Sequence, residues 1–205
     1  MQSKICGIKD VKSLKYIINH KYPPKFIGFI CNYPKSKRFV RLKFLKNLFY
    51  INRKDINFVS VLVSPKEKIL EKIKNFNFQY YQLYDVTPKE TLRIKKKYKK
   101  KIITAITVQK KIDIKQYKKY IKVSDIILFD SKGYEQSESF NHEFLDDVKT
   151  SKPIMIAGDI KTNDLTKFKN KPYIIDISGH LESEKGIKDI KKIDKFLNTV
   201  HNISS

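Results

Sequence analysis

The sequence predicts an α/β fold of one domain spanning residues 1–205, a (β/α)8 TIM barrel. The first observation is a set of eight short apolar runs: Lys4–Ile8, Phe26–Cys31, Asn57–Val63, Tyr80–Tyr84, Ile102–Val108, Asp125–Ser131, Pro153–Ile160 and Tyr173–Ser178. They are nearly continuous in hydrophobicity, as strands covered on both faces are. The second is that helical apolar stripes separate them. The third is that no linker interrupts the alternation, and strand followed by helix eight times over is the pattern of a closed parallel barrel. A doubly wound open sheet is the rival, but the first strand is not followed by a Gly-rich dinucleotide loop.

Val11, Leu14, Ile17 and Ile18 form one expected stripe, Ile69, Leu70, Ile73 and Phe76 another. Ile187, Ile190, Ile193, Phe196, Leu197 and Val200 form the last. Ser64-Pro65-Lys66-Glu67 and Thr87-Pro88-Lys89-Glu90 both read as capping boxes with proline at the first helical position. Asp113 and Thr162 or Asn163 are expected caps of later helices. Ser131 to Asn141 has no periodicity and reads as a long loop after the sixth strand.

At 205 residues the chain is long enough for a sizeable core, and 40% of it is hydrophobic. No run of about eighteen apolar residues is present, so no membrane span is expected. Met1-Gln2-Ser3 leads directly into a strand, so no signal peptide is expected either. Two cysteines without framework spacing point to a reducing, cytoplasmic setting. The formal net charge of +23 draws anions. The cations are almost all lysine and spread along the chain, which reads as compositional drift with mild attraction for an anionic substrate; nucleic-acid binding would be better supported by arginine, glycine and interleaved aromatics on one surface. The dense run Lys95 to Lys101 reads as the solvated end of a helix.

In a barrel of this kind the chemistry stands on the C-terminal strand ends. Those ends carry Cys6, Gly7, Cys31, Ser64, Asp85, Gln109, Asp130, Gly158, Asp159, Ser178 and Gly179. Ala157-Gly158-Asp159 and Ser178-Gly179-His180 follow strands seven and eight, where backbone amides of barrels most often hold phosphate. A phosphate there lies between Cys6 and Asp130, a thiol and a carboxyl suited to act as base and acid on one substrate. Cys31 reads as a packing residue. His20, His142 and His201 are expected at the surface. No Cys/His spacing suggests zinc.

These residues resemble the phosphoribosylanthranilate isomerases of tryptophan biosynthesis along nearly the whole chain. The resemblance rests on Lys4-Ile5-Cys6-Gly7-Ile8, Phe26-Ile27-Gly28-Phe29, Ser36-Lys37-Arg38-Phe39-Val40 and Gln82-Leu83. It continues through Asp130-Ser131-Lys132, Ala157-Gly158, Asp176-Ile177-Ser178 and Gly186-Ile187-Lys188-Asp189. It implies an Amadori rearrangement of N-(5-phosphoribosyl)anthranilate that needs no cofactor. Asp130 would be the general acid that opens the ribose ring, and Cys6 the general base that takes the C2 proton. Arg38 would hold the anthranilate carboxylate. Gly7, Gly158, Asp159, Ser178, Gly179 and His180 would surround the rest of the substrate, the phosphate above all. A monomer or a homodimer fits this reading.

The chain departs from the family pattern at four places. Gly133 to Phe140 replaces a glycine-rich phosphate loop, Asp159 a second glycine, Tyr84 a histidine, and Gly179-His180 a Ser-Gly pair. His180 is suited to bond the phosphate directly. The departures leave two alternatives: a diverged barrel with weak or different sugar-phosphate isomerase activity, and a basic barrel that binds polyanions without catalysis.

Overall fold

The computed structural model describes residues 1–131 and 139–204. Eight parallel strands hydrogen-bond in sequence order and close into a barrel, β8 pairing with β1. They are β1 (Gln2–Cys6), β2 (Phe26–Ile30), β3 (Asn57–Val63), β4 (Tyr80–Tyr84), β5 (Lys101–Val108), β6 (Ile126–Ser131), β7 (Ile154–Ile156) and β8 (Tyr173–Ile177). All eight expected runs are strands, and closure excludes the open-sheet rival.

The crossovers are α1 (Val11–Asn19), α2 (Leu42–Phe49), α3 (Glu67–Ile73), α4 (Pro88–Tyr98) and the one-turn α5 (Tyr117–Tyr120), and α6 (Ile190–Ser204) follows β8. A 3-10 segment, Lys111–Gln116, leads into α5. After β6 and β7 the crossovers contain, among the described residues, only 3-10 turns, His142–Asp147 and Thr162–Phe168. That economy is how a chain of this length completes the ring. Beyond β8, a 3-10 turn (Gly179–Leu181) and a small hairpin, β9 (Glu182–Glu184) with β10 (Ile187–Lys188), precede α6.

Two apolar clusters explain why the strands read as unbroken hydrophobic runs. One fills the barrel: Phe26, Val59, Val61, Tyr80, Tyr84, Ile103, Ala105, Leu128, Met155 and Ile174 alternate inward. The other lies between barrel and crossovers and includes Ile5, Ile27, Phe29, Phe58, Tyr81, Phe129 and Ile175. Each strand feeds both, because successive side chains point to opposite faces. Leu14, Ile17 and Ile18 of α1 and Ile193, Phe196, Leu197 and Val200 of α6 complete the outer cluster.

Several local expectations are corrected. Val11 is exposed at the rim of its stripe, and exposed Ile187 belongs to β10, so α6 begins only at Ile190. Thr87 caps α4 as expected, its Oγ1 accepting from Glu90 N at 3.3 Å. Ser64 does not cap α3: it sits at φ 40°, its N–H donates to Tyr84 O, and the N-cap is Lys66. Asp113 lies inside its 3-10 turn and accepts from Gln109 N and Lys110 N. Lys161 precedes the turn that Thr162 opens. The three histidines are half-buried rather than exposed. His20 approaches Asp194, His142 approaches Ala157 O, and His201 stacks on Tyr22 with ring centroids 3.5 Å apart. Lys95 and Lys97, near the end of α4, reach Asp125 and Glu71 at 2.8 and 3.1 Å. The expected loop Ser131–Asn141 begins with a residue of β6, and residues 132–138, which include Lys132 and most of the altered phosphate loop, lie outside the described residues. Among the described residues no helix is long and apolar enough to cross a membrane.

Phe58 packs edge-on to Phe29 and Phe49, with centroids 5.0 and 5.2 Å away, and is 2% exposed. Truncating it leaves a cavity between β3 and α2. Phe58→Ala is expected to destabilise the protein by about 3–5 kcal/mol in urea unfolding, with the barrel's circular dichroism retained in water.

Candidate active site

The C-terminal mouth of the barrel opens on a cavity of about 290 Å³. Cys6, Arg38, Asp130, Gly158, Asp159, Ser178, Gly179 and His180 all line it, with Tyr84, Asp176 and Tyr33. Of the expected site residues only Gly7 does not. It stands behind Arg38 at φ 79°, and a Cβ there would lie 2.7 Å from Arg38 Cδ. Gly7 therefore lets the arginine lie across the end of β1.

Cys6 and Asp130 end β1 and β6, so β7 and β8 stand between them in the ring. The late loops between these groups pack closely against their neighbours. Gly158 has φ 92° and its Cα side abuts Ser131, 2.8 Å from where a Cβ would be. Ser178 Oγ donates to Cys6 O at 3.0 Å, tying the two loops that flank β1.

Asp130 is half-buried, and loss of solvent pushes its carboxyl up to about 6 despite a hydrogen bond from Tyr84. Tyr84 Oη donates to Asp130 Oδ2 at 2.7 Å and receives Gln82 Nε2 at 3.1 Å. The relay Gln82–Tyr84–Asp130 runs out of the barrel interior along β4. Burial likewise raises the Cys6 thiol above its ordinary range, with Lys4 and Lys188 opposing it. Cys31 lies outside the cavity; its thiol donates to Phe29 O and burial raises it to about 12.

Arg38 comes from the loop after β2 and is held by a carboxylate the sequence reading did not single out. Its Nε and Nη2 donate to Glu182 Oε1 and Oε2 at 2.6 and 3.1 Å, a bidentate fork. Glu182 also accepts from Gly186 N and from buried Lys188 Nζ, at 2.9 and 3.1 Å. Lys188 Nζ donates in turn to Ser178 O at 2.9 Å. Burial alone would raise Glu182; Arg38 and Lys188 outweigh it and hold the carboxyl below its usual range. The β9–β10 hairpin is thereby fastened to the mouth by charge.

The departures at 159 and 180 meet each other. His180 Nε2 lies 2.6 Å from Asp159 Oδ1, linking the loops after β7 and β8. Asp159 takes φ 54°, a conformation aspartate tolerates better than most residues. Lys4 and Asp176 were visible only as letters of motifs, yet they lie side by side in the β1–β8 register. Lys4 Nζ donates to Asp176 Oδ2 at 2.6 Å, with the lysine side chain fully buried. The available signal was period two: Lys4 shares a face with Cys6, and Asp176 with Ser178.

Comparison with known proteins agrees with this geometry. The family model described as N-(5'phosphoribosyl)anthranilate (PRA) isomerase matches residues 3–199. N-(5'-phosphoribosyl)anthranilate isomerase of Campylobacter jejuni subsp. jejuni serotype O:6 is 33% identical over 203 residues, covering 96% of this chain and 97% of that protein. The Thermoanaerobacter sp. enzyme of the same name is 27% identical over 98% of both chains. Among solved structures, phosphoribosyl anthranilate isomerase from Thermus thermophilus superposes with a TM-score of 0.85 at 18% identity, over 99% of this chain and 100% of that one. A phosphoribosyl anthranilate isomerase bound to reduced 1-(o-carboxyphenylamino)-1-deoxyribulose 5-phosphate superposes at 0.81 with 21% identity, over 98% and 99%. These structural likenesses concern the fold, whereas the family-model match and the Campylobacter relative extend it to kinship. The chain belongs to the N-(5'-phosphoribosyl)anthranilate isomerase family, isomerases of tryptophan biosynthesis.

Proposed function

We propose that the mouth of this barrel, one domain over residues 1–205, carries out the Amadori rearrangement with Asp130 as general acid and Cys6 as general base. The observation that carries the reading is the pairing of a half-buried carboxyl raised to about 6 with a thiol on the far side of β7 and β8 in one cavity. Asp130 gives its proton to the ribose ring oxygen as the C1–O bond breaks, and the nitrogen lone pair forms the protonated Schiff base. The Cys6 thiolate then removes the C2 proton, and the C2–H electrons form the enol that tautomerises to the ketone. Arg38 retains N–H groups beyond those given to Glu182 and holds the anthranilate carboxylate. Ser178, Gly158, Gly179 and the Asp159–His180 pair surround the phosphate.

The working state needs Asp130 protonated and Cys6 ionised, the reverse of their order of proton affinity. A single proton is then shared between the two sites. As pH rises through the Asp130 value, loss of protonated acid is balanced by gain of thiolate. So kcat/KM is expected to rise up to about pH 6, stay level, and fall only when the thiol titrates.

Three measurements check this. Phosphoribosylanthranilate generated in situ should lose its fluorescence with wild-type protein. Cys6→Ser and Asp130→Asn should each lower turnover by roughly 10²–10⁴-fold with folding intact; wild-type turnover in both would remove the assignment. Tyr84→Phe takes a donor from the Asp130 carboxylate, so the lower limb of the kcat/KM profile should move to higher pH. An unmoved limb would mean that Asp130 does not govern it. Arg38→Lys loses the fork and should raise KM about ten- to a hundredfold with a smaller change in kcat.

A further inference from the structure

Inside an apolar barrel a lysine and an aspartate are costly, and hydrophobic residues of like volume would usually serve stability as well. Their position suggests another use. Lys4 is two residues before Cys6 on β1, so both point into the barrel, the lysine one layer below the thiol. A Cβ on Gly28 of β2 would sit 2.9 Å from Cys6 Sγ and 3.1 Å from Lys4 Nζ. Glycine at 28 thus clears the space that ammonium and sulfur share. Asp176, across the β1–β8 seam, receives Lys4 Nζ at 2.6 Å and itself lines the cavity.

We infer that the Lys4–Asp176 pair sets how much of Cys6 is thiolate, with Lys4 as a positioning residue for the base and Asp176 as the group that keeps Lys4 charged and aimed. The inference rests on reading Cys6 as the base. A thiolate formed in this cavity has little water to stabilise it, and a fixed ammonium beneath it replaces part of that solvation. Burial alone would strip Lys4 of its proton; Asp176 and the thiol outweigh it and hold the amine charged. The other titratable groups around the sulfur are Lys188 of β10, Tyr84 of β4 and Cys31 after β2, with Asp130 and Arg38 across the cavity. Lys188 is engaged by Glu182 and Ser178, and Arg38 by Glu182, so Lys4 is the cation on the thiol's own strand whose carboxylate partner also lines the cavity.

The test is the pH dependence of iodoacetamide alkylation at Cys6, read by peptide mass spectrometry so that Cys31 is scored separately. It is run on wild type, Lys4→Met, Asp176→Asn and the double variant. Lys4→Met is expected to move the Cys6 midpoint up by about one unit or more, a tenfold loss of reactive thiolate at neutral pH. Asp176→Asn removes an anion near the sulfur, and the thiolate then takes over as the counter-ion that keeps Lys4 charged, so the midpoint should move down. kcat should fall in Lys4→Met with KM nearly unchanged. If the single lysine variant does not fold, the double variant, which leaves no buried charge unpaired, should still have a higher midpoint than Asp176→Asn. Midpoints indifferent to Lys4 in both backgrounds would overturn the inference and leave the pair a structural feature. Full turnover by Cys6→Ser would instead refute the reading of the base, whatever the alkylation profile showed.

Discussion

The closing seam of the barrel carries the constraint on which the site depends. Lys4 on β1 can be buried only if a carboxylate lies beside it, and the parallel register of β1 and β8 sets Asp176 opposite it. A slip of β8 by one residue would turn Asp176 towards the apolar outer cluster and leave Lys4 unpaired inside the barrel. The same register brings Ser178 to the backbone of Cys6 and starts the hairpin that reaches Arg38. Barrel closure and this part of the site therefore rest on the same β1–β8 contacts.

A second set of charges holds the mouth above that seam. Glu182 is the junction: it takes the fork of Arg38, the amine of Lys188 and a backbone N–H of the hairpin. Its neighbours come from the loop after β2 and from the segment after β8, so a guanidinium distant in sequence is fixed at the rim before any ligand arrives. An arginine with side-chain entropy already spent binds a carboxylate at lower cost than a free one. Opposite, the Asp159–His180 contact replaces glycines with a side-chain link between the two late loops. The proposed phosphate region of this chain is thus braced by side-chain charge.

The proposed acid and base are tuned by the same physics in different amounts. Loss of solvent raises both Asp130 and Cys6, which helps an acid and hinders a base. Tyr84 moderates the first effect and Lys4 the second. Each moderator lies on the inward face of its strand, one through a hydroxyl and the other through an ammonium, so the barrel interior below the cavity is where the proton affinities are set.

The amino-acid sequence by itself determined the eight strands, their order around the ring and the placing of Cys6, Arg38 and Asp130 at the mouth. Hydrophobic runs covered on two faces report their own length and spacing, and strand ends report which residues reach the top. It also held the cap at Thr87, whose partner lies three residues away. The tertiary structure alone decided what those residues touch. Ser64 looked like a cap, but the approach of β4 set its backbone at positive φ. Tyr84 looked like a lost histidine until the Asp130 carboxylate was seen beside it, 46 positions on. Glu182 finds Arg38 across 144 positions and Lys4 finds Asp176 across 172. Local chemistry is written in neighbouring letters, whereas ion pairs inside a barrel form between strands that only closure brings together.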